Sequence, residues 1–145
     1  MAKARAVFLS RGDDSGTHKK EMEVWKKADV EPAGDWYVVT KSFMLDALRR
    51  ADAMKGYFMT DSSTWAAASQ ELPNLKILYR GDPFLINVYH ALTRPDGASP
   101  GQPAAKAFAA YAASEAGQRV IREFGRARHG EGLYNDAAYA AQYDK

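Results

Sequence analysis

The sequence has 145 residues, of which 46% are apolar and 26% are charged, with a formal net charge of +2 and no cysteine. A chain of this length and composition can bury a core as one domain, which excludes disorder of the whole chain. The small net charge is scattered along the chain and gives no basis for a nucleic-acid partner. The lack of cysteine excludes disulfides, thiolate metal sites and cysteine nucleophiles.

Two further expectations concern membranes and export. No apolar run approaches the ~20 residues that a membrane-spanning helix needs, so we expect no span. Residues Met1–Arg5 lead into a predicted strand without an apolar segment, so we expect no signal peptide in the chain as given. If the natural protein is exported, its signal has been removed or lies on another segment.

The first two thirds of the chain alternate between short apolar runs and amphipathic runs. Aromatic and β-branched residues predict strands at Arg5–Leu9, Trp36–Val39, Tyr57–Thr60, Lys76–Tyr79 and Phe84–Leu92. Helical spacing of apolar residues predicts helices over Thr17–Lys27, around Leu45–Ala51 and over Trp65–Leu72. This alternation predicts an α/β fold with a mixed, mostly parallel sheet flanked by helices.

The last third of the chain is predicted to be helical. Thr93–Pro103 contains three prolines and two glycines, which is typical of an exposed loop. Ala104–Tyr111 and Glu115–Phe124 are then expected to form one broken helix or two helices, followed by a loop at Gly125–Gly132 and a short tail at Ala137–Tyr143. No two of the three histidines have the spacing of metal ligands, so we expect no metal site.

The turn Ser10–Thr17, between the first strand and the first helix, is the strongest candidate for a binding site. The first N–H groups of a helix have no partner within it, and the helix dipole adds partial positive charge there. Such a helix start binds anions readily. Gly12 and Gly16 allow a close backbone approach, and Arg11 supplies a permanently charged donor. The pattern indicates an oxyanion site.

A purely structural interpretation of the same turn stays open. Ser15 or Asp14 would cap the helix, which is a common role of these residue types. Arg11 would pair with Asp13 or Asp14 at the surface, where such pairs contribute little to stability. On this interpretation the turn binds nothing.

Three strand-to-helix junctions carry hydroxyl groups: Ser10–Thr17, Thr40–Ser42 and Asp61–Thr64. In a mostly parallel sheet these junctions lie together beyond the carboxyl ends of the strands, where ligands usually bind. Hydroxyl-bearing helix starts are common in α/β domains. Three of them at one edge of the sheet favour a polar, donor-rich binding edge there.

The segment Phe8–Glu21, followed by Trp25–Ala28, resembles the tungstate-binding proteins of ABC importers, members of the type II periplasmic solute-binding superfamily. Supporting matches follow in the same order along most of the chain, at Trp36-Tyr37, Gly56–Asp61, Thr64-Trp65, Leu85–Tyr89 and Phe108–Gly125. The resemblance implies a single solute-binding-protein-like domain, residues 1–145. Residues 5–92 would form the second lobe of the family, and residues 93–145 its C-terminal helices.

The resemblance also implies a set of ligand-binding residues. They are Ser10, Arg11, Asp13, Ser15, Gly16 and Thr17 in the turn, and Ser62, which stands where the family usually has an arginine. A second departure is Lys41–Phe43, where the family usually has glycines. Phosphate-binding relatives share a similar turn, in which an Asp accepts a proton from protonated phosphate. A cleft-facing Asp13 would instead repel tungstate or molybdate, which are dianions near neutral pH.

The function that the resemblance implies is binding of a tetrahedral oxyanion, tungstate or molybdate, as part of an ABC-transporter solute-binding protein. No cofactor and no catalytic residue is expected. The implied partners are the small oxyanion, an ABC permease or the first lobe of the family, and a second copy of the chain. The implied location is periplasmic or extracellular. The alternatives are a ligand-sensing or interaction domain of the same fold, attached to a regulator, and a phosphate-type oxyanion binder.

Overall fold

The computed structural model describes residues 2–143. The chain forms two compact units that divide between Arg80 and Gly81. Among the described residues, none of the helices combines the length and the apolar character needed to cross a membrane.

The first unit is built on a three-stranded parallel sheet with the order β2-β1-β3. Its strands are β1 (Phe8–Ser10), β2 (Tyr37–Val39) and β3 (Tyr57–Phe58). Phe8 of β1 is in register with Tyr37 of β2 and with Tyr57 of β3. The middle strand is buried along its whole length. The expected α/β fold with a parallel sheet and flanking helices is therefore confirmed.

Each strand of this sheet is followed by a helix. The helices are α1 (Gly16–Lys27), α2 (Met44–Met54) and α3 (Ser62–Ala68), and a 3-10 turn at Ser69–Glu71 extends the last one. Strand β1 begins three residues later than predicted, and Arg5 is excluded from it by a left-handed backbone with φ of +48°. It also ends one residue later, so that Ser10 belongs to the strand.

The core of the first unit consists of two clusters of buried side chains. One contains Phe8, Trp25 and Trp36, with the rings of Phe8 and Trp25 edge to face at 5.0 Å. The other contains Leu48, Ala68 and Leu72, beneath α2 and α3. These clusters hold α1 and α2 against the sheet, so the turns before both helices start from packed elements.

The second unit is helical among its described residues. Its longer helices are α4 (Gln102–Ala113) and α5 (Glu115–Glu123), and its short ones are α6 (Arg126–His129) and α7 (Ala137–Ala140). Ser114 separates α4 from α5 and caps α5 by accepting a hydrogen bond from the N–H of Gly117. The two long helices agree with prediction, whereas the loop expected at Gly125–Gly132 contains α6.

Two of the five predicted strands are wrong. Neither Lys76–Tyr79 nor Phe84–Leu92 forms a strand, and a 3-10 turn occupies Pro83–Leu85. The side chain of Asp82 accepts a hydrogen bond of 2.8 Å from the N–H of Phe84 and caps that turn. Strand propensity is expressed only where a neighbouring strand completes the ladder, and the described sheet consists of three other segments.

Candidate functional site

The candidate site is the turn between β1 and α1, at the carboxyl edge of the sheet. Because β1 is the middle strand, the junctions that follow β2 and β3 flank this turn. Open α/β sheets with the strand order 2-1-3 bind ligands outside the carboxyl ends of their strands, at the point where the strand order reverses. The topology therefore places the turn where this architecture commonly forms a site.

Two left-handed residues shape the turn. Gly12 and Asp14 both have φ of +59°, a conformation that is free for glycine and tolerated by aspartate. The side chain of Val39 packs closely against Gly12, so a Cβ atom there would overlap its Cγ1. Gly12 thus allows the predicted bend and also the close approach of β2.

The end of β2 holds the start of the turn in place. The backbone N–H of Thr40 donates to the carbonyl of Ser10 at 2.9 Å, and the Thr40 hydroxyl donates to the same oxygen at 3.0 Å. The N–H of Lys41 donates to the carbonyl of Arg11 at 2.8 Å. These bonds continue the β1–β2 ladder past the strand ends and fix the backbone from which the Arg11 side chain leaves.

Arg11 and Asp13 form an ion pair within the turn. A terminal nitrogen of the guanidinium donates to Oδ2 of Asp13, and Oδ1 of Asp13 accepts a hydrogen bond of 3.2 Å from the N–H of Ser15. The two side chains are only 12% and 22% exposed. The pairing of Arg11 with an aspartate agrees with the structural interpretation, and of the two partners it is Arg11 that is mostly covered, whereas Asp13 as a whole residue is exposed.

The ionisation of Asp13 follows from these contacts. Partial burial raises the pKa of the Asp13 carboxyl, but its hydrogen bonds with Ser15 and Arg11 and the positive charge of Arg11 lower it further. The net pKa lies below the ordinary value of 3.8. At neutral pH the Asp13 carboxylate therefore places a fixed negative charge beside the fixed positive charge of Arg11.

The guanidinium of Arg11 is not saturated by this pair. Its Nε atom is buried and has no hydrogen-bond partner within the described residues. A buried N–H group without an acceptor is costly, and such groups are rare in native proteins. An acceptor placed beside this face of Arg11 would remove that cost.

The start of α1 leaves two amide groups available. Ser15 is the N-cap, and its hydroxyl accepts a hydrogen bond of 3.4 Å from the N–H of His18. The N–H of Ser15 donates to Asp13, so two of the first four donors are satisfied. Within residues 2–143, no acceptor faces the N–H groups of Gly16 and Thr17. The cap and the unsatisfied amides occur together, so the two interpretations of the turn are compatible.

The junction after β3 is a capped helix start. Asp61 accepts hydrogen bonds from the Ser63 hydroxyl at 2.5 Å, from the Thr64 N–H at 2.6 Å and from the Thr64 hydroxyl at 2.8 Å. Burial raises the pKa of the Asp61 carboxyl, and these hydrogen bonds outweigh burial and lower it. Ser62 is the exposed first residue of α3. Its hydroxyl makes no contact that would assign it a structural role among the described residues.

The junction after β2 differs from the prediction. The N-cap of α2 is Phe43, which has no capping side-chain oxygen and is 81% exposed. The hydroxyl of Ser42 therefore does not cap the helix. Lys41 adopts a left-handed backbone with φ of +50°, where the resemblance expected glycine.

Sequence reasoning missed a buried carboxylate behind the turn. Glu21 of α1 is 3% exposed and accepts hydrogen bonds from the Trp25 indole at 3.1 Å and from the Tyr37 hydroxyl at 2.7 Å. The second of these bonds connects α1 to β2. The spacing of Glu21 and Trp25, four residues apart on one helix face, is the only sequence signal that could have indicated it.

The comparison with known proteins decides the family. The family model described as the PBP superfamily domain matches residues 1–116. The chain belongs to the PBP superfamily. This PBP-superfamily chain is 38% identical over 140 residues to the tungstate-binding protein TupA of Peptoclostridium acidaminophilum, an alignment that covers 95% of this chain and 49% of the relative. The predicted resemblance to tungstate-binding proteins is thereby confirmed.

Solved structures give the same result for this PBP-superfamily chain. The tungstate-binding protein TupA from Desulfovibrio alaskensis G20 superposes with a TM-score of 0.66 at 33% identity, covering 93% of this chain and 56% of that one. The tungstate ABC transporter structure from Geobacter sulfurreducens gives a TM-score of 0.69 at 28% identity, covering 85% and 53%. The chain therefore spans about half the length of these relatives. Two of them are named as binding proteins, which agrees at the family level with a role other than catalysis.

Proposed function

We propose that this chain binds a tetrahedral oxyanion, tungstate first and molybdate second, at the turn between β1 and α1. The observation that carries the proposal is the pair of unsatisfied N–H groups on Gly16 and Thr17 at the start of α1, on the turn that also carries Arg11. A helix start of this kind stabilises a dianion through both its hydrogen-bond donors and its dipole. The hydroxyls of Ser15 and Thr17 add donors, and Ser62 and the buried Ser10, whose hydroxyl has no hydrogen-bond partner among the described residues, extend the proposed set. Asp13 belongs to the site as the acceptor that holds Arg11 before an anion binds.

The chemistry of the donors suits a compact dianion. Backbone N–H groups and a guanidinium supply only donors and positive charge, which matches a fully deprotonated oxyanion with acceptors on every oxygen. The unsatisfied Nε of Arg11 supplies a further directional donor. The names of the relatives as tungstate-binding proteins support tungstate over other tetrahedral anions.

The wider role that we propose is that of a solute-binding component of an ABC importer. In this role the chain would act in the periplasm or outside the cell and present its anion to a permease. Residues of the other half of the longer relatives would complete the enclosure of the ligand. The exposed aromatic residues Phe108 and Tyr111 of α4 supply apolar surface for a protein partner.

A phosphate-type ligand is the second candidate, and one observation favours it. The Asp13 carboxylate lies inside the turn, where it could accept a proton from a protonated oxyanion but would repel a dianion. Phosphate carries such a proton near neutral pH, whereas tungstate does not. The same titration with the two anions therefore separates the candidates.

The test is an amide NMR titration of the 145-residue chain with tungstate, molybdate, phosphate and sulfate. The method detects affinities as weak as millimolar, which corresponds to about −4 kcal/mol, so weak binding by this chain alone remains visible. We expect the amide signals of Gly16 and Thr17 to shift most, and Arg11→Ala to weaken binding at least about tenfold.

The matched control is Arg50→Ala, which removes an exposed guanidinium from α2 and changes the net charge equally. It should leave the titration unchanged within about twofold, because exposed charges are largely screened. Absence of any shift at the turn in the wild-type chain, with all four anions, would refute the proposed function. Equal losses in the two arginine variants would reduce the effect to nonspecific charge.

A further inference from the structure

The carboxylate of Asp13 occupies two donors of the turn, one of them on the guanidinium that the proposed oxyanion would also contact. Its Oδ2 accepts from the Arg11 guanidinium, and its Oδ1 accepts from the N–H of Ser15, next to the unsatisfied amides of Gly16 and Thr17. We infer that Asp13 is a resident competitor, an internal anion that a bound oxyanion must displace from Arg11 and that sets which anion charge the turn accepts. This inference rests on the proposed function.

The geometry makes the competition direct. Within the described residues, Asp13 engages the guanidinium through Oδ2 alone, whereas a tetrahedral oxyanion can present two oxygen atoms to the same guanidinium. Arg11 directly follows β1 on a backbone that β2 holds in place, and Ser15 directly precedes α1. The backbone positions of these two donors are therefore fixed by the neighbouring elements. While Asp13 spans them, the external anion has only part of the donor set.

The electrostatic setting makes the competition strong. The Arg11 side chain is only 12% exposed, so water screens the guanidinium less than at an open surface. A fixed negative charge in this position repels a dianion twice as strongly as a monoanion of the same shape. Asp13 should therefore lower the affinity for tungstate more than the affinity for perrhenate, which is also tetrahedral but carries one charge.

The neighbouring residue Asp14 supplies a matched control. Its side chain is 85% exposed, and its only ion pair among the described residues is with Lys19 at 3.8 Å. Asp14→Asn changes the net charge by the same amount as Asp13→Asn, one position away. Asparagine also tolerates the left-handed backbone of residue 14, so this variant keeps the turn.

The experiment measures affinities for tungstate and perrhenate by amide NMR titration of the wild-type chain, Asp13→Asn and Asp14→Asn. Asp13→Asn should bind tungstate about tenfold more tightly than wild type and perrhenate about threefold more tightly, in the ratio that Coulomb's law gives for the two charges. Asp14→Asn should change both by less than about twofold. In Asp13→Asn the new amide oxygen can still accept from the Ser15 N–H, so the turn is retained.

A second variant at the same position distinguishes the loss of charge from a local rearrangement caused by asparagine. Asp13→Ser keeps an acceptor for the Ser15 amide and removes the charge, and it should reproduce the tungstate gain. The inference is overturned if both Asp13 variants bind tungstate no more tightly than Asp14→Asn, or if their gains for tungstate and perrhenate are equal. The failure of the proposed function is distinct: in that case neither the wild type nor any variant shows shifts at Gly16 and Thr17.

Discussion

The side chain of Val39 on β2 fills the space in which Gly12 would carry a side chain. Gly12 also has φ of +59°, so two independent constraints act on the same position. The contact joins the turn between β1 and α1 to the neighbouring strand, in addition to the hydrogen bonds that Thr40 and Lys41 donate. The turn is consequently part of the packed sheet edge rather than a free loop.

Gly12→Ala should therefore destabilise the chain by about 1–3 kcal/mol, since a methyl group adds both overlap with Val39 and left-handed strain. Urea unfolding followed by circular dichroism measures the change. Gly16→Ala is the control, because a Cβ atom there meets nothing within 4 Å and the residue begins α1. It should leave the free energy of unfolding unchanged or slightly higher. Equal losses in the two variants would contradict the packing argument.

Asp61→Ala should cost about 1–2 kcal/mol of stability, because it removes the N-cap of α3 and leaves the Thr64 N–H without its acceptor. Chemical unfolding at neutral pH is the measurement. Ser62→Ala, the next residue, is the control: Ser62 is exposed and caps nothing, so its removal should change stability by less than about 0.5 kcal/mol. A loss in Ser62→Ala as large as in Asp61→Ala would show that the cap is not the cause.

The same carboxylate gives an acid dependence with a defined sign. The folded-state pKa of Asp61 lies below its ordinary value of 3.8, so its contribution is fully present above that pH and is lost as the pH falls through the folded-state pKa. The free energy of unfolding should fall more steeply with acid in the wild type than in Asp61→Asn. Parallel acid profiles for the two proteins would contradict the hydrogen-bond explanation of the lowered pKa.

The sequence predicted the structural features that depend on residues close to one another along the chain. Gly12 and Ser15 indicated the bend and the cap of α1, because turn and capping chemistry depend on near neighbours. The parallel sheet followed from the alternation of strands and helices. The general position of the candidate site followed in turn from the topology of such sheets.

The remaining features depend on partners distant in sequence. Lys76–Tyr79 has the composition of a strand, but no strand lies beside it in the described part of the chain, and Tyr79 is 70% exposed. Glu21 is buried although it is charged, since only the folded chain brings the Tyr37 hydroxyl to it. The choice of Asp13 over Asp14 as the partner of Arg11 likewise depends on backbone angles that composition does not specify.

The second unit exposes apolar side chains at helical spacing, and this surface should be detectable. Phe108 and Tyr111 of α4 are 69% and 53% exposed, and Phe124, just after α5, is 57% exposed. The chain alone should therefore increase the fluorescence of the dye ANS, and Phe108→Gln should reduce that signal. Ala105→Gln, an exposed change on the same helix, serves as control. Equal ANS fluorescence in the two variants would show that the dye does not bind at Phe108.

The free energy of unfolding should fall at alkaline pH because of Tyr37. Burial raises the pKa of the Tyr37 hydroxyl, and the nearby Ser10 hydroxyl lowers it. The hydrogen bond to Glu21 and the charge of that carboxylate raise it again, so that the net pKa is about 12. A raised folded-state pKa contributes stability that is complete below the ordinary value of 10 and is lost as the pH rises towards about 12.

Urea unfolding over this alkaline range should therefore show a steeper loss of stability in the wild type than in Tyr37→Phe. At neutral pH the variant should be less stable by about 1–2 kcal/mol, because Glu21 keeps only the Trp25 indole as a donor. Tyr57→Phe, which changes a 39% exposed tyrosine on β3, should match the wild type within about 0.5 kcal/mol. If Tyr37→Phe follows the wild type at every pH, the hydroxyl does not anchor β2 to α1, and the aromatic packing of Phe8 and Trp25 holds α1 against the sheet without it.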